Sequence, residues 1–105
     1  HEGPHGLSKY NNVKLRKGMI LSNEPGFYKE NSFGIRIENL IYILQKGKNL
    51  LFKNLTFAPL DSDLINFKML NKFEKLYLFK YNQEIYEKIS KFLSKKEKDW
   101  LINLI

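Results

Sequence analysis

Two glutamates, each beside an apolar segment, constrain the fold of this chain more than any other feature. Glu24 follows residues 19–23 and is followed at once by Pro25, while Glu38 lies within the isoleucine-rich residues 34–44. Proline cannot donate a hydrogen bond to a strand ladder, so the first strand should end at Pro25. Because side chains alternate along a strand, we expect two antiparallel neighbours whose carboxylates point to the same side.

Carboxylates set among isoleucine and leucine are costly unless they are paired or bound to metal. Arg36 lies two residues before Glu38 and on the same face of the expected strand, where it would help to keep Glu38 ionised. Spacing alone leaves two interpretations open. One is a divalent-cation site built on Glu24 and Glu38, and the other is an ordinary surface ion pair beside a glutamate at a turn.

The spacing of apolar residues changes after a third expected strand, residues 50–59. From Asn71 onward they recur every four residues, which is typical of an amphipathic helix: Phe73, Tyr77, Tyr81, Ile85, Ile89 and Leu93. Asn71 with Glu74, and Ser94 with Glu97, have the spacing of capping boxes that begin helices. The sequence therefore predicts an α+β fold with antiparallel strands first and two helices last.

The net charge of +7 raises the question of a nucleic-acid or membrane partner. The lysines are scattered, and only Arg16 and Arg36 could make the forked contacts on which base recognition relies. No apolar run approaches the roughly 18–20 residues that span a bilayer. We therefore expect neither partner, and the absence of cysteine fits a cytoplasmic protein. Because the first residue is His, we expect a fragment or processed piece of a longer protein.

Four segments together resemble the Xaa-Pro aminopeptidases of the two-metal, pita-bread metallopeptidase family M24. Residues 18–28 are similar to that family's GMxxSNEPGxY segment, and residues 33–40 to its FGIRIENL segment. Residues 1–6 are similar to HEGPxG, and residues 55–60 to LTFxPL. The resemblance covers nearly the whole chain. It implies the C-terminal portion of a pita-bread fold, with residues 1–66 as strands of the catalytic domain and 67–105 as its C-terminal helical region.

The resemblance also implies roles for single residues. Glu24 matches a metal ligand that takes part in proton transfer, and Glu38 matches the carboxylate that bridges two metal ions. Arg36 matches an arginine that supports Glu38, and His1 matches a histidine that lines the substrate pocket. His5 lies where the family usually has another residue, and we do not expect it to bind metal. The resemblance implies two divalent metal ions as cofactors and manganese as their identity, a metal that carboxylate-rich ligation suits.

The implied reaction is removal of the N-terminal residue from peptides that have proline in second position. The family's two aspartate ligands and its histidine ligand have no counterpart in this chain, so we expect the chain alone to be inactive. The resemblance allows a homodimeric parent enzyme. The alternatives are a dipeptidase for Xaa-Pro, a methionine aminopeptidase, a non-catalytic binding module with the same fold, and a basic nucleic-acid-binding domain.

Overall fold

A computed structural model describes residues 4–105. The chain divides into two compact units, of which the first ends at Thr56 and the second spans Phe57–Ile105. The division of the catalytic domain at residue 66 stays a prediction. His1, which the resemblance assigns to the substrate pocket, lies outside the described residues.

The first unit consists of antiparallel strands arranged in two sheets. The strands are β1 (Ile20–Asn23), β2 (Gly26–Lys29), β3 (Phe33–Arg36), β4 (Asn39–Lys46) and β5 (Asn49–Asn54). β1, β4 and β5 form a three-stranded sheet with β4 in the centre, and β2 pairs with β3 as a separate hairpin. The expected antiparallel arrangement is confirmed, and the expected strand over residues 34–44 was wrong, because it is two strands in two sheets.

The two sheets share one register along a long, interrupted hairpin. Asn23 pairs with Asn39 on one side of the interruption, and Gly26 pairs with Arg36 on the other. Two residues separate the paired positions on each strand, so the register is the same on both sides. Across the break, Glu24 therefore lies opposite Glu38, and Pro25 lies opposite Ile37.

Pro25 accounts for the interruption. It has no backbone N–H, so it cannot return the hydrogen bond that an antiparallel partner needs. The ladder is reduced to one bond, in which Ile37 N donates to Pro25 O at 3.2 Å. Glu24 and Glu38 consequently lie at the break itself, opposite each other, and not within regular strands as we expected.

The third strand ends earlier than expected because a side chain replaces the ladder. Leu55 N still donates to Leu40 O at 2.8 Å, but Leu40 N donates to the hydroxyl Oγ1 of Thr56 at 2.8 Å. Beyond Asn54, the acceptor for the N–H of Leu40 is thus a side chain and not the backbone. The expected strand over residues 50–59 is therefore shorter, and it ends at Asn54.

The core of this unit lies on one face of the three-stranded sheet. Leu21, Ile41 and Ile43 are buried there, and Leu15 and Met19 pack against them. The alternation of side chains along β1 and β4 brings these odd-numbered residues to a common face.

The second unit is helical and is organised by its caps. Its helices are α1 (Lys72–Ile89) and α2 (Lys95–Leu104), with short 3-10 turns at Ser62–Leu64 and Ser90–Phe92. Both expected capping boxes are present, with Asn71 and Glu74 at the start of α1 and Ser94 and Glu97 at the start of α2. Within residues 4–105, no helix is long and apolar enough to cross a membrane.

The helices pack around a small core of their own. Tyr81, Ile85 and Leu101 are buried, and Phe57 and Leu60 are among the residues that pack against them. The Tyr81 hydroxyl donates to the backbone oxygen of Ala58 at 2.8 Å, which satisfies the polar end of a side chain that is only 2% exposed.

Candidate metal centre

Two carboxylates converge on one guanidinium at the break in the hairpin. Arg36 Nη2 lies 2.9 Å from Glu38 Oε2, and Arg36 Nη1 lies 3.3 Å from Glu24 Oε2. The side chain of Glu24 is 23% exposed, whereas that of Glu38 is 44% exposed. We call Glu24 and Glu38 the acidic pair. The structure shows the two carboxylates turned toward the same cation, although their role as metal ligands stays a prediction.

Ser22 orients the first member of the acidic pair. Its hydroxyl Oγ donates to Glu24 Oε1 at 2.6 Å, while Glu24 Oε2 faces Arg36. Ser22 and Glu24 are two residues apart, so their side chains share a face at the end of β1. This hydrogen bond was not predicted from the sequence, although the period of two would have indicated it.

The side chain of Tyr28 lies over two glycines, one of which pairs with Arg36. A Cβ atom on Gly26 would lie 2.7 Å from the Tyr28 hydroxyl oxygen, and one on Gly34 would lie 2.6 Å from Tyr28 Cδ1. The Tyr28 ring therefore lies across both glycines, where any side chain would displace it. Tyr28 is also one of the influences that raise the pKa of Arg36.

This arrangement beside Arg36 was also not predicted from the sequence, because it depends on which residues pair. Gly26 pairs with Arg36, and Tyr28 pairs with Gly34, so all four residues share one face of the β2–β3 hairpin. The common face can be predicted only when the pairing of the two strands is known. A signal was present in the period of two from Gly26 to Tyr28 and from Gly34 to Arg36.

The surroundings of Arg36 favour its charged form. The charge of Glu38 is the largest influence that raises the pKa of Arg36, and the charges of Tyr28 and Glu24 raise it further. The guanidinium already carries its charge at any physiological pH. The raised pKa therefore reflects how strongly its surroundings favour the charged form.

The donor chemistry of the acidic pair fits a hard divalent cation. Carboxylate oxygens suit Mg²⁺, Ca²⁺ and Mn²⁺, and a guanidinium already stands as a cation between the two carboxylates. Two carboxylates are fewer ligands than such a cation requires. Among the described residues, no group of three or more His, Cys, Asp or Glu side chains could hold a metal ion.

His5 lies away from the acidic pair. Its Nε2 is 2.9 Å from the backbone oxygen of Ile20, on the strand that leads to Glu24. The ring thus binds the backbone of β1.

Family models match both parts of this chain. The C-terminal region of peptidase M24 matches residues 48–104, and metallopeptidase family M24 matches residues 1–45. Two curated relatives are Xaa-Pro aminopeptidase 1 of Dictyostelium discoideum, 41% identical over 100% of this chain, and aminopeptidase P2 of Arabidopsis thaliana, 39% identical over 98% of it. The chain spans 19% and 16% of their respective lengths.

A solved structure has the same backbone arrangement. The X-prolyl aminopeptidase of Caenorhabditis elegans matches 99% of this chain at 30% identity with a TM-score of 0.82. The chain covers 18% of that protein, which is described as a cytosolic enzyme with a di-nuclear active site.

Proposed function

The chain belongs to metallopeptidase family M24, and from this premise we propose that its acidic pair ligates metal in an aminopeptidase specific for Xaa-Pro peptides. The observation that carries the proposal is the convergence of Glu24 and Glu38 on one guanidinium at the break in the hairpin. This chain spans 19% or less of the length of the two curated relatives and of the worm enzyme. We therefore assign the activity to the native polypeptide and not to these 105 residues alone.

The fold that positions the acidic pair is the C-terminal portion of a pita-bread fold, as expected. Antiparallel strands come first and two helices last. In this arrangement the break at Pro25 removes two residues from the strand ladder while the strands on either side keep them opposed. The acidic pair is therefore held by a backbone that is regular on both sides, which favours a fixed geometry for ligands.

We assign a separate role in the reaction to each residue of the candidate site. When bound, two divalent cations supply an acidified water and polarise the scissile carbonyl. Glu38 would be the ligand shared by both cations, and Arg36 orients its carboxylate through their 2.9 Å contact. Glu24 would add a further ligand and take part in proton transfer, and Ser22 orients its carboxylate by a hydrogen bond to Oε1. We assign His1 to the substrate pocket on the resemblance of residues 1–6 alone.

We further propose the following for the native polypeptide. Its cofactors are two Mn²⁺ ions, the metal that the family resemblance implies and that oxygen ligands suit. Its substrates are proline-containing peptides, and it acts in the cytosol, as the worm enzyme does. It binds neither nucleic acid nor membrane, and it forms a homodimer.

Hydrolysis assays with paired substrates test the activity. The native polypeptide is assayed on Arg-Pro-Pro and Arg-Ala-Pro, with Mn²⁺ and after its removal by EDTA. We expect Mn²⁺-dependent release of the N-terminal residue from the first peptide only. Glu38→Gln should abolish this activity, because the amide keeps the shape of the side chain but removes the charge.

Glu30→Gln is the matched control, since Glu30 is an exposed glutamate in the same hairpin, beyond the acidic pair. It should retain activity close to that of the unchanged protein. Cleavage of the alanine peptide at a similar rate would contradict the assigned substrate class. Full activity in Glu38→Gln would contradict the assigned metal site.

A further inference from the structure

The guanidinium of Arg36 places a positive charge beside both carboxylates of the candidate metal centre. Arg36 contacts one oxygen of each member of the acidic pair, at 2.9 Å and 3.3 Å. Two carboxylates that share a site repel each other unless a cation lies between them. Arg36 supplies that cation from within the chain.

The two ion pairs of Arg36 are unequal. The pair with Glu38 is the shorter one, at 2.9 Å against 3.3 Å. The pair with Glu24 is longer, and Glu24 has a further partner, because its Oε1 accepts a hydrogen bond from Ser22. Glu24 can therefore leave Arg36 at a smaller loss than Glu38 can.

We propose that Arg36 is an internal stand-in for the metal, which neutralises the acidic pair while metal is absent. Metal entry replaces the contact between Arg36 and Glu24, and Arg36 keeps its contact with Glu38. This inference rests on the proposed function, because it assumes that the acidic pair binds metal.

The consequence separates a stand-in from a simple support. A residue that only supports Glu38 strengthens metal binding, so its removal should weaken that binding. A stand-in competes with the metal for Glu24 and relieves the repulsion that the metal would otherwise relieve. Its removal leaves the metal-free acidic pair less favourable, and metal should then bind more tightly.

The native polypeptide, freed of metal, is titrated with Mn²⁺ while the electron paramagnetic resonance signal of the free ion is recorded. Arg36→Gln should lower the Kd by about two- to fivefold, the scale of a half-exposed ion pair. Lys29→Gln is the matched control, because Lys29 carries the same charge in the same hairpin and pairs with Phe33 on the opposite face. It should leave the Kd unchanged.

Tyr28→Phe provides a second variant in case Arg36→Gln does not fold, which circular dichroism reports. It keeps the ring over Gly26 and Gly34 but removes the hydroxyl, which lies beside Gly26, the residue that pairs with Arg36. Arg36 is then held less firmly, so the Kd should fall in the same direction by a smaller factor.

The outcomes separate the inference from the proposed function. Weaker Mn²⁺ binding in folded Arg36→Gln, or in Tyr28→Phe, would overturn the stand-in role and leave the metal site in place. A Kd equal to that of Lys29→Gln would overturn it as well. If the unchanged protein binds no Mn²⁺, the proposed function fails and this inference fails with it.

Discussion

The ring of Tyr28 lies directly over Gly34, and a Cβ atom there would stand 2.6 Å from Tyr28 Cδ1. The two residues are paired across the β2–β3 hairpin, so the absence of a side chain on one strand makes room for the ring on the other. Tyr28 is in turn one of the influences that raise the pKa of Arg36. The contact between Tyr28 and Gly34 therefore links a glycine that bears no chemistry to the cation between the two carboxylates.

Gly34→Ala should therefore disturb the candidate metal centre without touching it. The added methyl group must displace the Tyr28 ring, and overpacking of this kind costs about 1–3 kcal/mol of folding free energy. Urea unfolding should show the loss. The double variant Gly34→Ala with Tyr28→Ala should lose less than the sum of the single changes, because the clash has been removed. Simple additivity would contradict the contact.

The turn between β2 and β3 gives a backbone prediction. Asn31 has a positive φ of 54°, in the left-handed region that glycine and asparagine adopt more readily than other residues. Asn31→Val should destabilise the fold by about 1–2 kcal/mol, because a β-branched side chain clashes in that region. Asn31→Gly should be close to neutral. Thermal unfolding followed by circular dichroism measures both, and equal stability of the two variants would contradict the strained geometry.

Local signals and the antiparallel arrangement were read correctly from the sequence, and the place where the strand pairing breaks was not. The boxes at Asn71 and Ser94 were predictable because each cap and its partner lie three residues apart. The break beside Glu38 was not, because its cause is Pro25, a residue on the partner strand. The convergence of the acidic pair could still be predicted, since the period of two survives the break.

The buried tyrosine of the second unit gives a prediction about a single hydrogen bond. Tyr81→Phe leaves the backbone oxygen of Ala58 without the hydroxyl that now donates to it. Loss of one partner in a buried pair costs about 1–3 kcal/mol. Tyr77→Phe is the matched control, because Tyr77 stacks on Tyr81 but is 49% exposed. Equal losses in the two variants, measured by urea unfolding, would contradict the assigned role of the bond.

The cap of α2 makes its stability depend on pH. Hydrogen bonds from the hydroxyl and the backbone N–H of Ser94 lower the pKa of Glu97 from its ordinary value of 4.5. A lowered pKa in the folded state means that the charged form contributes stability above the ordinary value. That contribution is lost as the pH falls through the lowered pKa. We expect the melting temperature to drop below pH 4.5, and Glu97→Gln should flatten this part of the profile.

Two further variants isolate the cap from the general effect of acid. Asp99→Asn removes another exposed carboxylate from α2, one that is not part of the capping box. It should leave the slope of the profile unchanged. Ser94→Ala removes the hydroxyl that accepts from Glu97 N, and the loss of such a cap costs about 1 kcal/mol at neutral pH. It should also reduce the dependence on pH, because Glu97 then loses the hydroxyl that contributes to its lowered pKa. A slope as steep in Ser94→Ala and Glu97→Gln as in the unchanged chain would place the acid sensitivity outside this cap.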